Sequence, residues 1–549
     1  LKLNKSTAAV GIEPINQRLN EEQLKSQIQE ASPSPVIQLN KNQLKSKQEV
    51  YGFYVNWDAN SQNSFRKNID SITSLIPEWL QLTSNLSLKT STDSTITKLA
   101  KAHHIKILPL VNNFIDNKWD AETLHRLFTT PGAEDRFIKN LLAYVKKNNF
   151  DGINIDFEEI DGNDHANMTQ FIHKVSKEFH QNGLIVTMDV PPNNKSFNYP
   201  SLAAEVDRMV VMLYDQHNSK SQPGPVAQSD WIKTSLNQLH IPSEKLIVSL
   251  GSYGYDWEEN SNQPATTMTF GDIMNLGKET HLPIFWNNQA GNPYLRYRLN
   301  GKNHLVWFLD AATFYNQMNL AIHSGAKGIA VWRLGSEDPS IWNYLNKPKE
   351  MQNPSTAMET LGNPTPVHYT GAGEILKVVS QSKNGKRTIQ LDPQGMIQNE
   401  TYLSLPKPFE IVRYGKPKQK EIALTFDDGP DPEYTPQILD ILDKNHIKGA
   451  FFIVGENAEL HPKLIERMFK EGHAIGSHTF THPNIAATTP YQTKMELNAN
   501  QRLFEEITGH SMNLFRPPYE ADAEPSTRSQ LLPILRAQDM GYTMVGELI

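Results

Sequence analysis

The chain has 549 residues, which at about 150 residues per domain asks for roughly three to four folding units, fewer if one is a large barrel. Its 38% hydrophobic and 9% aromatic content excludes collagen, coiled coil and wholesale disorder. With 53 basic against 60 acidic side chains the formal charge is -7, which leaves no polycationic face, so no nucleic-acid partner is expected. The absence of cysteine removes disulfides, thiolate metal sites and cysteine nucleophiles, and any metal must be held by His, Asp or Glu. No apolar run approaches the ~18 residues that span a bilayer. The sequence starts at Leu1 with neither a basic n-region nor an apolar h-region, and so reads as a fragment lacking its native N-terminus.

In chain order, residues 1–49 are rich in Asn, Gln, Lys and Ser, with a short helical patch near Glu21 to Glu30 and then Ser32-Pro33-Ser34-Pro35, which predicts a polar tether. From Val50 short apolar runs alternate with segments of helical period. Strands are expected at Val50 to Asn56, Ile76 to Leu82, Ile105 to Val111, Gly152 to Glu158, Leu184 to Val190, Arg208 to Tyr214, Lys245 to Gly251 and Gly328 to Trp332. Eight βα repeats predict an α/β fold, a (β/α)8 or TIM barrel over residues 50–346. Residues 253–310 are too many for one helix and carry Trp257, Trp286 and Trp307, which predicts an inserted α+β subdomain over the barrel mouth. Residues 347–418 read as a linker and small β connector, in which Glu374 to Val379 and Arg387 to Leu391 form a hairpin through Asn384-Gly385, followed by a strand from Phe409 to Tyr414. At residues 419–549 the βα alternation resumes as a second, unfinished α/β domain.

Phe150-Asp151-Gly152-Ile153-Asn154-Ile155-Asp156-Phe157-Glu158 alternates strictly, so Asn154, Asp156 and Glu158 share one face and Ile153, Ile155 and Phe157 the other. If the apolar set packs against outer helices, the amide and both carboxylates point inward, where crowding raises the pKa of the most enclosed acid. A protonated Glu158 beside Asp156, at the carboxyl end of a barrel strand, suits general acid catalysis near neutrality.

These residues resemble the DxxDxDxE signature of family 18 glycoside hydrolases, with Asn154 in place of one Asp, as in the bacterial branch acting on peptidoglycan and spore cortex. The resemblance spans about residues 48–346 and takes in Tyr51-Gly52-Phe53-Tyr54, Met212-Leu213-Tyr214-Asp215 and Trp332, so Tyr54, Asp215 and Trp332 stand where that family contacts substrate. It implies a retaining, substrate-assisted reaction in which the substrate's own acetamide carbonyl attacks the anomeric carbon and no cofactor is needed. Glu158 would protonate the leaving oxygen, Asp156 orient the acetamide, Tyr214 hydrogen-bond the developing oxazolinium, and Trp332 form the sugar floor. Asn154, an amide, cannot share a proton with Asp156 as an Asp could.

In the second domain the apolar run Ile422 to Phe426 ends in Asp427-Asp428-Gly429-Pro430, which sets a ligand and a base side by side at a strand's carboxyl end. Fifty residues on, His478-Thr479-Phe480-Thr481-His482 places two imidazoles four apart, one helical turn if this segment is a helix. An Asp and two His leave coordination positions open for water. The order resembles the polysaccharide deacetylase family (carbohydrate esterase family 4, NodB-like), with Arg516-Pro517-Pro518-Tyr519 as its third motif, which implies an incomplete NodB-type distorted β/α barrel. The resemblance implies that Asp428, His478 and His482 bind a divalent metal, zinc by family habit, that Asp427 is the base acting on water there, that Arg516 holds that base, and that the Tyr519 N–H helps bind the oxyanion. Glu520 stands where a Gly is common, and the family's fourth and fifth motifs, the latter carrying a general-acid His, would follow Ile549, so poor or absent deacetylase activity is expected of these 549 residues alone.

Together the two resemblances predict a bifunctional hydrolase of the bacterial cell envelope, extracytoplasmic and membrane-anchored in full length, acting on N-acetylglucosamine-containing polysaccharide (chitin-like, peptidoglycan or exopolysaccharide). A membrane-bound glycosyltransferase domain beyond the C-terminus is a further implied partner. The rival expectation is a catalytically silent glycan-binding scaffold, which Asn154 favours.

Overall fold

The structure, a computed structural model, describes residues 12–28, 48–195, 197–351, 353–362, 367–416, 421–519 and 528–546. The predicted turn at Ser32-Pro33-Ser34-Pro35 and Glu520 lie outside these residues. The chain divides into two compact units, one drawn from residues 9–364 and 384–406, the other from 1–8, 365–383 and 407–549.

The first unit is a closed barrel of eight parallel strands: β1 (Glu49–Tyr54), β2 (Ser74–Leu82), β3 (Leu110–Asn112), β4 (Gly152–Asp156), β5 (Ile185–Val190), β6 (Arg208–Met212), β7 (Leu246–Gly251) and β8 (Gly328–Trp332). Neighbours in sequence are neighbours in space, and the ring closes where Gly328 of β8 pairs with Glu49 and Tyr51 of β1 pairs with Ser74. All eight expected strands are present. The third is split into Lys106–Ile107 and Leu110–Asn112 around Pro109, which has no N–H to give to a ladder. Strand alternation sorts the side chains: Tyr51, Phe53, Ile76, Leu110, Val210, Ile247 and Ala330 fill the barrel interior, while Val50, Tyr54, Ile153, Ile155 and Phe157 join the core between strands and helices. The outer helices present matching stripes. Helix Ala133–Asn148 buries Phe137, Ile138, Leu141 and Val145, spaced for one helical face. Gly152 is required where β4 meets β5, since a Cβ there would lie 2.0 Å from the Ile185 carbonyl oxygen.

The inserted subdomain carries strands Tyr253–Glu258, Thr266–Thr269, Phe285–Asn287, Asn292–Leu299 and Lys302–Phe308 with helix Phe270–Thr280. Part of the expected tether folds onto it. Ile12–Pro14 adds an antiparallel edge strand with Ile12 opposite Leu299, and helix Glu21–Gln27 starts from an Asn20/Gln23 capping box. The few apolar residues of this polar stretch, Leu19 and Ile28 among them, are buried in the core, a sparse signal that composition hides.

The region expected to be a separate β connector is shared between the units. The Asn384-Gly385 turn does not form: Gly385–Leu391 pairs antiparallel with Ile397–Ser404, and this hairpin belongs to the barrel unit. Its turn is at Asp392, whose carboxylate accepts from the backbone N–H groups of Gln394 (2.9 Å) and Met396 (2.8 Å), an Asx-type turn. Arg387 of the hairpin is fully buried and donates to Asp338 (2.7 Å), Glu400 (3.0 Å) and the Met358 carbonyl (2.7 Å).

The second unit is built on an eight-stranded sheet of β9 (Val367–Gly371), β10 (Ile375–Ser380), β11 (Phe409–Tyr414), β12 (Thr425–Phe426), β13 (Ala450–Ile453), β14 (Ala474–Ser477), β15 (Leu514–Phe515) and β16 (Thr543–Val545). The order is β9-β11-β10-β16-β15-β14-β13-β12, with β12 to β16 parallel and β10 antiparallel to β16. Its strands and helices Tyr434–Lys444, Pro462–Lys470, Pro490–Thr508 and Arg528–Asp539 enclose a core around Ile453, Ile465, Met468, Leu497 and Phe515. Among the described residues no helix is long and apolar enough to cross a membrane.

Candidate active site and metal centre

The alternation of β4 sends Asn154 and Asp156 into the barrel, where both are buried. Asp156 has one carboxylate oxygen, Oδ1, buried without a hydrogen-bond partner, and burial first, then the charges of Glu158, Asp189 and Glu78, push its pKa well above the ordinary carboxylate range. Glu158, just past the strand, is pushed up to about 7 by burial and by the neighbouring charges of Asp215 and Glu159. Its backbone is clamped by one side chain: Asn113 Oδ1 accepts from the Glu158 N–H (2.9 Å) and Asn113 Nδ2 donates to the Glu158 carbonyl (3.0 Å).

Asn154 has its hydrogen bonds on β5. Its amide donates to Asp189 Oδ2 (2.6 Å) and its Oδ1 accepts from the Thr187 hydroxyl (2.5 Å), Thr187 and Asn154 being register partners. A carboxyl absent from position 154 is therefore present one strand over at Asp189, whose pKa burial also raises strongly. The signal was in the sequence, since Thr187 and Asp189 alternate onto the same face as Asn154.

Tyr214 and Trp332 close the end of the barrel, ring centroids 6.2 Å apart and 18° from parallel. Asp215, with a left-handed backbone (φ 61°), accepts from the hydroxyls of Tyr253 (2.5 Å) and Tyr255 (2.9 Å), so the insertion holds this carboxylate beside Glu158. Tyr54 is elsewhere. It faces the outer layer, and its hydroxyl donates to Asp93 Oδ2 (2.7 Å), the N-cap of helix Ser94–Ala102. Alternation on β1 aims Phe53 inward instead, edge-on to Trp332 at 5.0 Å. Glu78 on β2 also reaches the inner end of the barrel, accepting from Asn112 Nδ2 (3.1 Å), and sequence reading passed it over because one carboxylate in an apolar strand carries no spacing.

In the second unit, β12 runs into Asp427 and Asp428. Asp428 has a left-handed backbone (φ 67°), so the two adjacent carboxylates diverge. Asp427 receives the buried Arg516 guanidinium at 3.0 and 3.2 Å, and Arg516 is itself fixed by Thr425 Oγ1 (2.9 Å) and the Gly546 carbonyl (2.9 Å). Asp428 Oδ1 lies 3.3 Å from His478 Nε2 and 3.0 Å from His482 Nε2. The two histidines are not on a helical turn as expected. Residues 478–482 form an irregular loop after β14, with Thr479 (φ 72°) and His482 (φ 57°) left-handed. Glu496 holds this loop by accepting from the N–H groups of Phe480 (2.9 Å) and Thr481 (2.8 Å), and Asn500 Nδ2 donates to the Thr479 carbonyl (2.8 Å). Both helix residues were missed, because nothing in the sequence pairs them with a loop they follow.

The donor set fits a divalent metal. One ligand atom from each of Asp428, His478 and His482 lies within 4.8 Å of the others, and His478 donates Nδ1–H to the Arg516 carbonyl (2.8 Å), which turns its other nitrogen towards the cluster. Burial lowers the His478 pKa, favouring the neutral, ligating imidazole. Tyr519 (φ 67°) places its ring 4.9 Å from that of His482.

The family model for glycosyl hydrolases family 18 matches residues 49–338, and that for polysaccharide deacetylase matches residues 414–545. The uncharacterized glycosylase YvbX of Bacillus subtilis is 26% identical over 308 residues, 54% of this chain and 90% of that protein. A peptidoglycan-N-acetylglucosamine deacetylase of Bacillus cereus is 42% identical over 105 residues, covering 19% of this chain and only 38% of its own length. Among solved structures, the Bacillus cereus spore cortex-lytic enzyme SleL superposes with a TM-score of 0.51 at 22% identity, over 55% of this chain and 74% of that one. A chitinase from Chromobacterium violaceum gives 0.51 at 23% identity, over 55% and 99%. These two establish the barrel fold, and the deacetylase family is generally metal-dependent, in keeping with the Asp-His-His cluster. The chain belongs to glycosyl hydrolase family 18 through its barrel and bears a polysaccharide deacetylase domain behind it, a carbohydrate-active enzyme with two hydrolytic domains.

Proposed function

We propose that the barrel cleaves N-acetylglucosamine-containing glycan with retention and substrate assistance, and that the second unit removes acetyl groups from the same class of polymer in the bacterial envelope, outside the cytoplasm. The observation that carries the first half is Glu158, an acid titrating at about 7 beside the buried Asp156 at the carboxyl end of β4. The substrate acetamide oxygen bonds to the anomeric carbon as the glycosidic bond breaks, and Glu158 gives its proton to the leaving oxygen. Glu158 then takes a proton from the water that opens the oxazolinium ring, which restores the acid and yields a retained product. The orphaned Asp156 Oδ1 is an acceptor for the acetamide N–H. Trp332, stacked on Tyr214, offers the sugar an apolar face.

In the deacetylase, Asp428, His478 and His482 would hold a divalent metal, and two imidazoles with one carboxylate suit zinc. When bound, the metal supplies Lewis acidity at the acetamide carbonyl. Asp427, aimed by Arg516, takes the proton of the attacking water, and the Tyr519 N–H stabilises the developing oxyanion. Collapse of the tetrahedral adduct breaks the C–N bond, the leaving nitrogen takes up the proton held by Asp427, and acetate and a free amine remain.

Replacing Glu158 by Gln tests the glycosidase. Turnover of N-acetylglucosamine oligomers falls about 10²–10⁴-fold with affinity retained, the usual worth of a general acid. A wild-type chain that binds these oligomers without cleaving them is the scaffold instead.

A further inference from the structure

Beside the reacting carboxylates, at the tops of β2 and β3, is a cavity of about 320 Å³ lined by Trp57, Glu78, Gln81, Lys89, Asn112 and Phe114 among others. It continues the catalytic row. Asn112 of β3 is the register partner of Asp156 on β4 and donates to Glu78 Oε1 (3.1 Å), and Glu78 is an electrostatic neighbour of Asp156. Glu78 accepts from Trp57 Nε1 (3.3 Å) on its other oxygen, and Trp57 is 69% exposed, so a flat apolar ring and a carboxylate form adjacent walls. That is the chemistry that binds a sugar ring bearing a positive substituent.

The charged groups around the cavity point to its sign. The Arg333 guanidinium, 4.2 Å over the Trp57 ring, is already paired with Asp58 (2.7 Å). Lys89 is exposed on the rim. Glu78 has only neutral hydrogen-bond donors on its oxygens; burial raises its pKa above the usual carboxylate range, and the Arg333 charge, which lowers it, does not offset that. A carboxylate whose burial is answered by two neutral N–H groups is stabilised further by an ammonium ion.

We propose that Glu78 is a specificity residue that receives the ammonium of a glucosamine unit next to the N-acetylglucosamine being cleaved, so that the barrel's preferred substrate is a partly deacetylated glycan. The inference rests on the hydrolase reading of the barrel and names its substrate class. The acetamide needed for attack is required only at the reacting sugar, and the neighbouring sugar is free to be an amine. The product of the second unit is then what the first one recognises.

The test uses the full chain, and its binding arm does not depend on turnover. In an E158Q background, affinity is measured for defined oligomers that are fully N-acetylated or carry one glucosamine, and kcat/KM is measured on the same pairs with Glu158 intact. The amine-bearing oligomer is expected to bind about tenfold to a hundredfold more tightly, as a charge-assisted hydrogen bond would give. E78Q brings that ratio close to one, and E78D recovers part of it. A preference that is absent from the wild type, or that survives in E78Q, overturns the proposal. A preference for a lactyl-bearing oligomer that is lost in K89A also overturns it, and assigns the cavity to an anion. If no oligomer is cleaved yet the amine preference appears and vanishes with E78Q, the ammonium site stands and the hydrolase reading falls.

Discussion

The acid form of Glu158 at neutral pH depends on its surroundings, and Asp215→Asn tests how. At the ordinary value of 4.5 only about one Glu in 300 is protonated at pH 7, whereas at about 7 half are, so the site gains roughly a hundredfold in available acid. Burial is the larger cause and the Asp215 charge the next. Asn at 215 keeps an oxygen to accept from Tyr253 and Tyr255 while removing the negative charge. The alkaline limb of kcat/KM for N-acetylglucosamine oligomers, near pH 7 in the wild type, therefore moves acidward in D215N, but stops well short of 4.5 because burial is unchanged. The absolute rate also falls, so the position of the limb is the readout. Stability follows the same sign: the folded chain holds the Glu158 proton more tightly than the unfolded one, so this group's contribution is present below 4.5 and lost as pH rises through about 7, and D215N narrows that window. A limb that stays in place, or moves alkaline, refutes the electrostatic account of the acid.

Three further outcomes are expected. Tyr54→Phe leaves KM for oligomers unchanged and costs about 1 kcal/mol in urea unfolding, because its hydroxyl meets Asp93 and not the groove; a raised KM would return Tyr54 to the substrate. Arg387→Met leaves Asp338 and Glu400 buried without their cation and destabilises the barrel unit by about 3–5 kcal/mol, read as a lowered urea midpoint; a loss below 1 kcal/mol would mean that the guanidinium does not hold this cluster together. His482→Ala removes one ligand atom of the cluster, so zinc retained after dialysis, measured by elemental analysis, drops to background with unfolding of the barrel unit unaffected; retention at wild-type stoichiometry would place the metal elsewhere.

The barrel was legible because its strands are apolar runs of the right length, and only Pro109 broke one unexpectedly. The chemistry of β4 was legible from period two alone: Asn154, Asp156 and Glu158 on one face are what the barrel turns inward. The same rule applied to β1 would have chosen Phe53 over Tyr54, since Tyr51 and Phe53 share the inner face. What escaped required more than one element to be read together. The Asp189 carboxyl faces Asn154 only through strand register, and Glu496 and Asn500 reach a histidine loop that precedes them by more than a dozen residues. Asn384-Gly385 misled because its flanking strands each found better partners, in different units.

The backbone crosses between the two units near residues 364, 384 and 406, and the middle crossing delivers the hairpin whose guanidinium neutralises Asp338. No single cut therefore yields two intact proteins. A barrel ended at residue 347 would lose a structural counter-ion, and one ended at 406 would carry away strands of its neighbour's sheet. Separating the two domains of this chain by truncation would therefore first require a replacement for that arginine.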